Sequence, residues 1–171
     1  YCDLAIVINE KIQLLIEVKA VDLDLKEKHI KQATDYAANK GIDWVVLTNG
    51  IIWYVFKINF SKPIDNELVA EINILDLNAR NSAHIEKLFL ITKEGLAKSA
   101  LSEFDEQRQV TSKYILGNII LTDNVLKAIK KELKIIYKHV KVELTDIKQS
   151  IEKNVCKREI FEGEEAINAR K

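Results

Sequence analysis

The chain has 171 residues, 47% hydrophobic and 30% charged, which allows one good core and excludes wholesale disorder. Lys plus Arg and Asp plus Glu are both 26, so the net charge is zero and any nucleic-acid affinity must come from a local patch. Two widely separated cysteines, Cys2 and Cys156, form no ligand pattern. With no membrane-spanning run and no signal-peptide pattern, they suggest a cytoplasmic protein with reduced thiols.

The first two apolar runs, YCDLAIVI and IQLLIEVKA, read as strands joined by Asn9, Glu10 and Lys11, a suitable length for a tight hairpin loop. Centred on Glu10, such a hairpin pairs Ile8 with Ile12 and therefore Asp3 with Glu17. Opposed residues in an antiparallel pair lie about 4.5–5.5 Å apart at Cα. Two carboxylates placed there, among apolar neighbours, repel and lose hydration unless something positive joins them. Side chains alternate along a strand, so Glu17 and Lys19 share a face while Val18 points away. One reading is a hard, oxygen-seeking cation, Mg²⁺ or Mn²⁺, held by Asp3 and Glu17. Lys19 then orients or deprotonates a water and offsets charge on a phosphate. The plainer reading is a salt-bridge cluster at a strand edge.

Next comes a helical segment, about Lys26–Asn39, with Ile30, Ala33, Tyr36 and Ala37 at helical spacing and Gly41 closing it. Gln32 and Tyr36 lie one turn apart on one face. Asp43–Thr48 (DWVVLT) reads as a buried strand. Asn49-Gly50 signals a type I′ turn, and Ile51–Ile58 (IIWYVFKI) as the returning strand. Trp44, Trp53 and Tyr54 are expected as core and strand-pairing aromatics.

The order aspartate, hairpin, Glu-x-Lys, Gln-x3-Tyr helix, buried strand, Thr-Asn-Gly and Trp-bearing strand resembles the PD-(D/E)xK nuclease superfamily. More narrowly, residues 1–58 are similar to the N-terminal nuclease domain of type I restriction enzyme R subunits and their stand-alone relatives. The resemblance implies a restriction-endonuclease-like mixed β-sheet flanked by helices, an α/β fold, and a Mg²⁺- or Mn²⁺-dependent DNA endonuclease. It implies that Asp3 and Glu17 bind the metal, that Val18 lends its carbonyl, and that Lys19 is the catalytic lysine. Gln32 and Tyr36 match the motif that helps build the site or position DNA. Implied partners are DNA and restriction-modification or helicase chains. Cys2 stands where the literal motif has proline. The family core ordinarily begins with a helix and strand upstream of the aspartate, so this sequence is expected to be part of a longer protein.

Beyond Ile58, Pro63 lies in a turn-like SKPIDN and Leu68–Leu77 reads as a further strand. A division is expected after residue 78, with a helical extension over 79–171. Ser82 is expected to cap a helix through Ile91, with Lys93–Thr111 and Tyr114–Leu121 as the next two. Val125–Val140 is expected as a longer helix, and Thr145 as the cap of a last helix to about Arg158. In Val125–Val140, the residues Leu126, Ile129, Leu133, Ile136 and Val140 form an apolar stripe. Lys127, Lys130, Lys131, Lys134, Lys138 and Lys141 face the other way. Those lysines are either a solvated face or a phosphate-contacting, DNA-binding surface. His29, His84 and His139 are isolated and expected at or near the surface. There is no Gly-Lys-Ser/Thr phosphate loop, so no motor resides here. Two other readings stay open: a DNA-binding or assembly module that keeps the scaffold without cleavage, and a helical protein-interaction module.

Overall fold

In the computed structural model, which describes residues 2–163, 166, 167 and 169, the apolar runs up to Asn73 form one five-stranded sheet. Its strands are β1 (Leu4–Ile8), β2 (Lys11–Val18), β3 (Trp44–Thr48), β4 (Ile52–Asn59) and β5 (Asp65–Asn73), in the spatial order β1-β2-β3-β4-β5. Only the β2/β3 pair is parallel. Parallel neighbours require a crossover, and α1 (Glu27–Lys40) supplies it. The molecule is thus α/β, a mixed sheet followed by a helical C-terminal region. No helix among the described residues is long and apolar enough to cross a membrane.

α1 buries Ile30, Ala33 and Ala37 against Leu15, Val45, Leu47 and Ile58, with Tyr36 packed at the margin. This is the periodicity expected of the segment. Gly41 ends the helix in the left-handed region at φ 66°, a conformation glycine adopts without steric cost. At its start, the Lys26 N–H donates to His29 Nδ1 at 3.0 Å and the His29 N–H donates to Lys26 O.

Both hairpin expectations need correction. β1 and β2 meet in a two-residue turn, Asn9 and Glu10, with φ of 51° and 63°, and Ile8 pairs with Lys11 rather than Ile12. A bulge then inserts Gln13 between the pairs Val7↔Ile12 and Ile6↔Leu14. It restores the expected register by Leu4↔Ile16, one residue short of Asp3 and Glu17. At the β3–β4 connection only Gly50 has positive φ, 87°, so the type I′ turn is not formed. Instead the Asn49 side-chain oxygen accepts the Ile51 and Ile52 N–H groups at 3.1 and 2.9 Å.

The further strand starts at Asp65, earlier than expected, and stops at Asn73, whose side chain accepts the Leu75 N–H and opens a short 3₁₀ turn over Ile74–Asp76. α2 (Ser82–Phe89) is capped by Asn81, not Ser82. The single helix expected over Lys93–Thr111 is two, α3 (Lys93–Ala97) and α4 (Ala100–Val110), broken at Ser99 with φ 59°. The structure divides the chain into two compact units, Tyr1–Glu103 and Phe104–Lys171, with the boundary inside α4.

In the second unit, α5 (Lys113–Ile120), α6 (Asp123–Ile136) and α7 (Leu144–Ser150) enclose a small core of Leu126, Ile147 and Ile151. α6 stops four residues earlier than expected. Leu126, Ile129 and Leu133 pack, whereas Ile136 and Val140 are 67% and 55% exposed. Lys138 and Lys141 therefore lie beyond the helix. α7 is capped by Glu143, not Thr145, because the Asp146 carboxylate accepts the Glu143 N–H.

Candidate functional site

β2 buries Leu14, Leu15, Ile16 and Glu17 in succession. Leu15 belongs to the core under α1, and alternation places Glu17 and Lys19 on that same face. Glu17 is only 4% exposed. Its Oε1 accepts a hydrogen bond from Lys19 Nζ at 2.5 Å. Its Oε2 is buried and has no hydrogen-bond partner among the described residues. A buried carboxylate oxygen left unmet costs about 1–3 kcal/mol or more, so its retention demands a reason.

Lys19 follows β2 directly, and its N–H donates to Thr48 O at 2.8 Å, extending the parallel register by one residue. Its ammonium has three donors and only one is spent on Glu17. Asp3 precedes β1, is exposed, and through Oδ2 accepts the Val18 N–H at 2.8 Å. This bond closes the β1–β2 ladder with a side chain and holds Asp3 beside the Glu17–Lys19 segment.

Two further groups sense these charges. Burial pushes the half-buried Cys2 thiol up, and the Glu17 and Asp3 carboxylates add to it while Lys19 opposes them. Burial pushes His29 down, and Lys28, Lys19 and Lys26 push it further. α1 begins at the sheet end where β2 stops, so its first turn stands by Lys19. On α1, Gln32 is exposed, and Tyr36 is half-buried against the core one turn on. The structure thus bonds Asp3 to the Val18 N–H and Lys19 to Glu17 on adjacent residues of β2 and its end, and leaves Gln32 and Tyr36 on the flanking helix.

Among the described residues, no group of three or more His, Cys, Asp or Glu is placed to hold a metal ion. Mg²⁺ asks for less, because it keeps several waters and takes one or two carboxylates together with substrate phosphate. Asp3 and Glu17 are carboxylates of that kind, and Glu17 Oε2, without a hydrogen-bond partner among the described residues, has a lone pair to offer. The residues fit.

Sequence reasoning passed over Asn49, treating Asn49-Gly50 as turn geometry alone. Its side-chain nitrogen donates to Val21 O and Leu23 O at 3.4 and 3.2 Å, across the loop that follows Lys19. The signal was present in the residue type, since asparagine has two donors beyond the acceptor a turn requires. A groove of about 270 Å³ between β5 and α2, lined by Glu71, Asp76, His84 and Lys87 among others, lies at the far edge of the sheet. Asn73 bonds Asp76 and the Asn78 N–H bonds His84 in local turns, while Lys87 Nζ donates to Glu71 O at 3.5 Å.

Of the α6 lysines, Lys130 is paired with Glu143 at 3.0 Å, while Lys127, Lys131 and Lys134 are exposed along the helix.

Residues 1–72 match the family model described as type I restriction enzyme R protein N terminus (HSDR_N). The matched stretch ends inside β5 and contains Asp3, Glu17, Val18, Lys19, Gln32 and Tyr36. No curated protein and no solved structure matches the chain significantly.

Proposed function

We propose that this chain carries a metal-dependent deoxyribonuclease site, an endonuclease hydrolysing DNA phosphodiester bonds in the manner of a type I restriction R-subunit N-terminal domain. The observation that carries the reading is Glu17, buried with one oxygen on Lys19 and the other unpaired, within the stretch matched by that family.

In this reading Asp3 and Glu17 hold Mg²⁺ or Mn²⁺, with the Val18 carbonyl as a further donor. When bound, such an ion polarises the scissile phosphate and lowers the pKa of a coordinated water. The Val18 N–H fixes the Asp3 carboxylate so that it need not reorganise. Lys19 directs its two remaining donors to the attacking water and to charge developing on the phosphate. Leu15 and the α1 core on the same face keep the Glu17 side dry, which strengthens each of these interactions. Gln32, exposed on α1, and Tyr36 support the site or the strand. DNA is the substrate, the cytoplasm the compartment, and restriction-modification or helicase chains the companions.

Supercoiled plasmid incubated with Mg²⁺ or Mn²⁺ and either wild type or Lys19→Ala tests the proposal. Metal-dependent nicking that disappears in the variant is the expected result. Equal nicking by both would remove the site from this hairpin.

One observation favours a second reading. Lys19 closes on Glu17, and no third carboxylate joins the described cluster, as suits a DNA-binding or assembly module that keeps the scaffold. Metal-independent DNA binding without nicking by wild type identifies it.

A further inference from the structure

The chain leaving β2 carries Lys19 into a loop with little of its own to hold it. Ala20, Val21, Asp22, Leu23 and Asp24 are exposed, and only Leu25 is half-buried against the α1 core. One turn is internal, from the Leu23 N–H to Ala20 O at 3.0 Å. Among the described residues, the bonds that tie this stretch to the sheet are the Lys19 N–H on Thr48 O and the two donated by Asn49 Nδ2 to Val21 O and Leu23 O.

Asn49 is itself fixed. Its Oδ1 accepts the Ile51 and Ile52 N–H groups. The neighbouring Thr48 hydroxyl accepts the Gly50 N–H at 2.9 Å and donates to Ile52 O at 2.8 Å. One amide group therefore braces the β3–β4 turn with its oxygen and the Lys19 loop with its nitrogen. An aspartate has the oxygen without the donors, and a serine has a single O–H donor on a side chain too short to reach the loop.

We infer that Asn49 is a positioning residue for Lys19: it tethers the loop to the rigid β3–β4 turn and so fixes where the Lys19 ammonium sits relative to Glu17. The consequence for cleavage rests on the nuclease reading, whereas the tether itself does not.

Two variants separate the roles. Asn49→Asp keeps the acceptor for Ile51 and Ile52 and removes both donors. Asn49→Ser keeps a short neutral acceptor and controls for the added charge. In both, amide hydrogen exchange at Lys19 and Leu23 should rise, while Ile51 and Ile52 stay protected in Asn49→Asp. Metal-dependent nicking should lose about tenfold in kcat at unchanged KM, as expected when a reacting group is displaced by a fraction of an ångström to an ångström. Wild-type exchange at Lys19 and Leu23 would overturn the tether. Freed amides with wild-type kcat would overturn the positioning role. If the wild type nicks nothing, the nuclease reading fails alone; freed amides still support the tether and protected ones overturn it.

Discussion

Glu17 is where chemistry and stability oppose each other. Its ion pair with Lys19 is half dry: the carboxylate is buried, while about a quarter of the lysine side chain is exposed. Removing the lysine strands a buried charge, a change that costs about 3–5 kcal/mol when both partners are buried and somewhat less at this partly wet pair. Lys19→Ala should therefore lower the melting temperature in metal-free buffer. Mg²⁺ should restore part of that loss, and more than it raises the wild type, since it binds the native state alone and no longer competes with an ammonium. Glu17→Ala should show no Mg²⁺ effect at all. Thermal melts of the three proteins with and without Mg²⁺ decide the matter, and a Mg²⁺ shift that persists in Glu17→Ala would place the ion elsewhere. His29 makes a second prediction at this scale. Burial first, and then Lys28, Lys19 and Lys26, hold its pKa below the ordinary 6.5, and its Nδ1 must stay unprotonated to accept the Lys26 N–H. A depressed histidine contributes stability that is present above about pH 6.5 and lost as pH falls through the folded value. Melting temperature should decline in that window in wild type and less steeply in His29→Gln, whose side-chain oxygen can accept the same N–H without titrating. Parallel curves would show that His29 is not the titrating group.

At the scale of elements, glycine placement shows what a helix end can demand. Gly95 lies in the first turn of α3, where its N–H donates to the Thr92 hydroxyl, and that hydroxyl donates to Phe89 O. A Cβ on Gly95 would stand 2.0 Å from Phe89 O, a backbone atom that cannot swing aside. Alanine is favoured over glycine in a helix by about 1 kcal/mol, but overpacking a rigid contact costs about 1–3 kcal/mol, so the clash wins. Gly95→Ala should lower the urea midpoint by an amount worth up to about 2 kcal/mol; a raised midpoint would mean that the α2–α3 turn yields. The same turn shows why some elements were legible and others were not. α1 could be read because its apolar spacing, its length and Gly41 all agree. The β1–β2 partnership could be read because two apolar runs flank a short polar gap. The Gln13 bulge could not, since a one-residue insertion leaves no compositional mark, and only the pairing reveals it. Nor could the break at Ser99, where a serine takes a left-handed conformation in a segment that otherwise has helical spacing. Asp3, Glu17 and Lys19 were singled out by spacing and family resemblance. What spacing cannot express is that Glu17 keeps one oxygen unpaired, or that Asn49 reaches across to the Lys19 loop.

For the whole molecule, a net charge of zero means that no global field draws DNA in, so affinity must be local and should be separable from cleavage. The Asp3–Glu17–Lys19 cluster lies in the first unit, and the α6 lysines lie in the second, which has its own small core. On α6, Lys127, Lys131 and Lys134 follow one another at four and three residues and share a face, whereas Lys130 is engaged by Glu143 and Lys138 follows the helix end. Each phosphate contact adds about 0.9 to the slope of log affinity against log salt on duplex DNA. If the three helical lysines make such contacts, Lys127→Ala/Lys131→Ala/Lys134→Ala should flatten the slope by about 2–3 and weaken binding equally on unrelated sequences. The first unit's core is untouched by these changes, so nicking at saturating DNA should keep its kcat while KM rises. Lys138→Ala/Lys141→Ala serves as the comparison, because these lysines lie beyond the helix and are held in no fixed row. A slope unchanged in the triple variant would make α6 a solvated surface and move the search for the DNA contact to the lysines of the first unit, Lys26, Lys28 and Lys31, in and beside the first turn of α1 near Lys19.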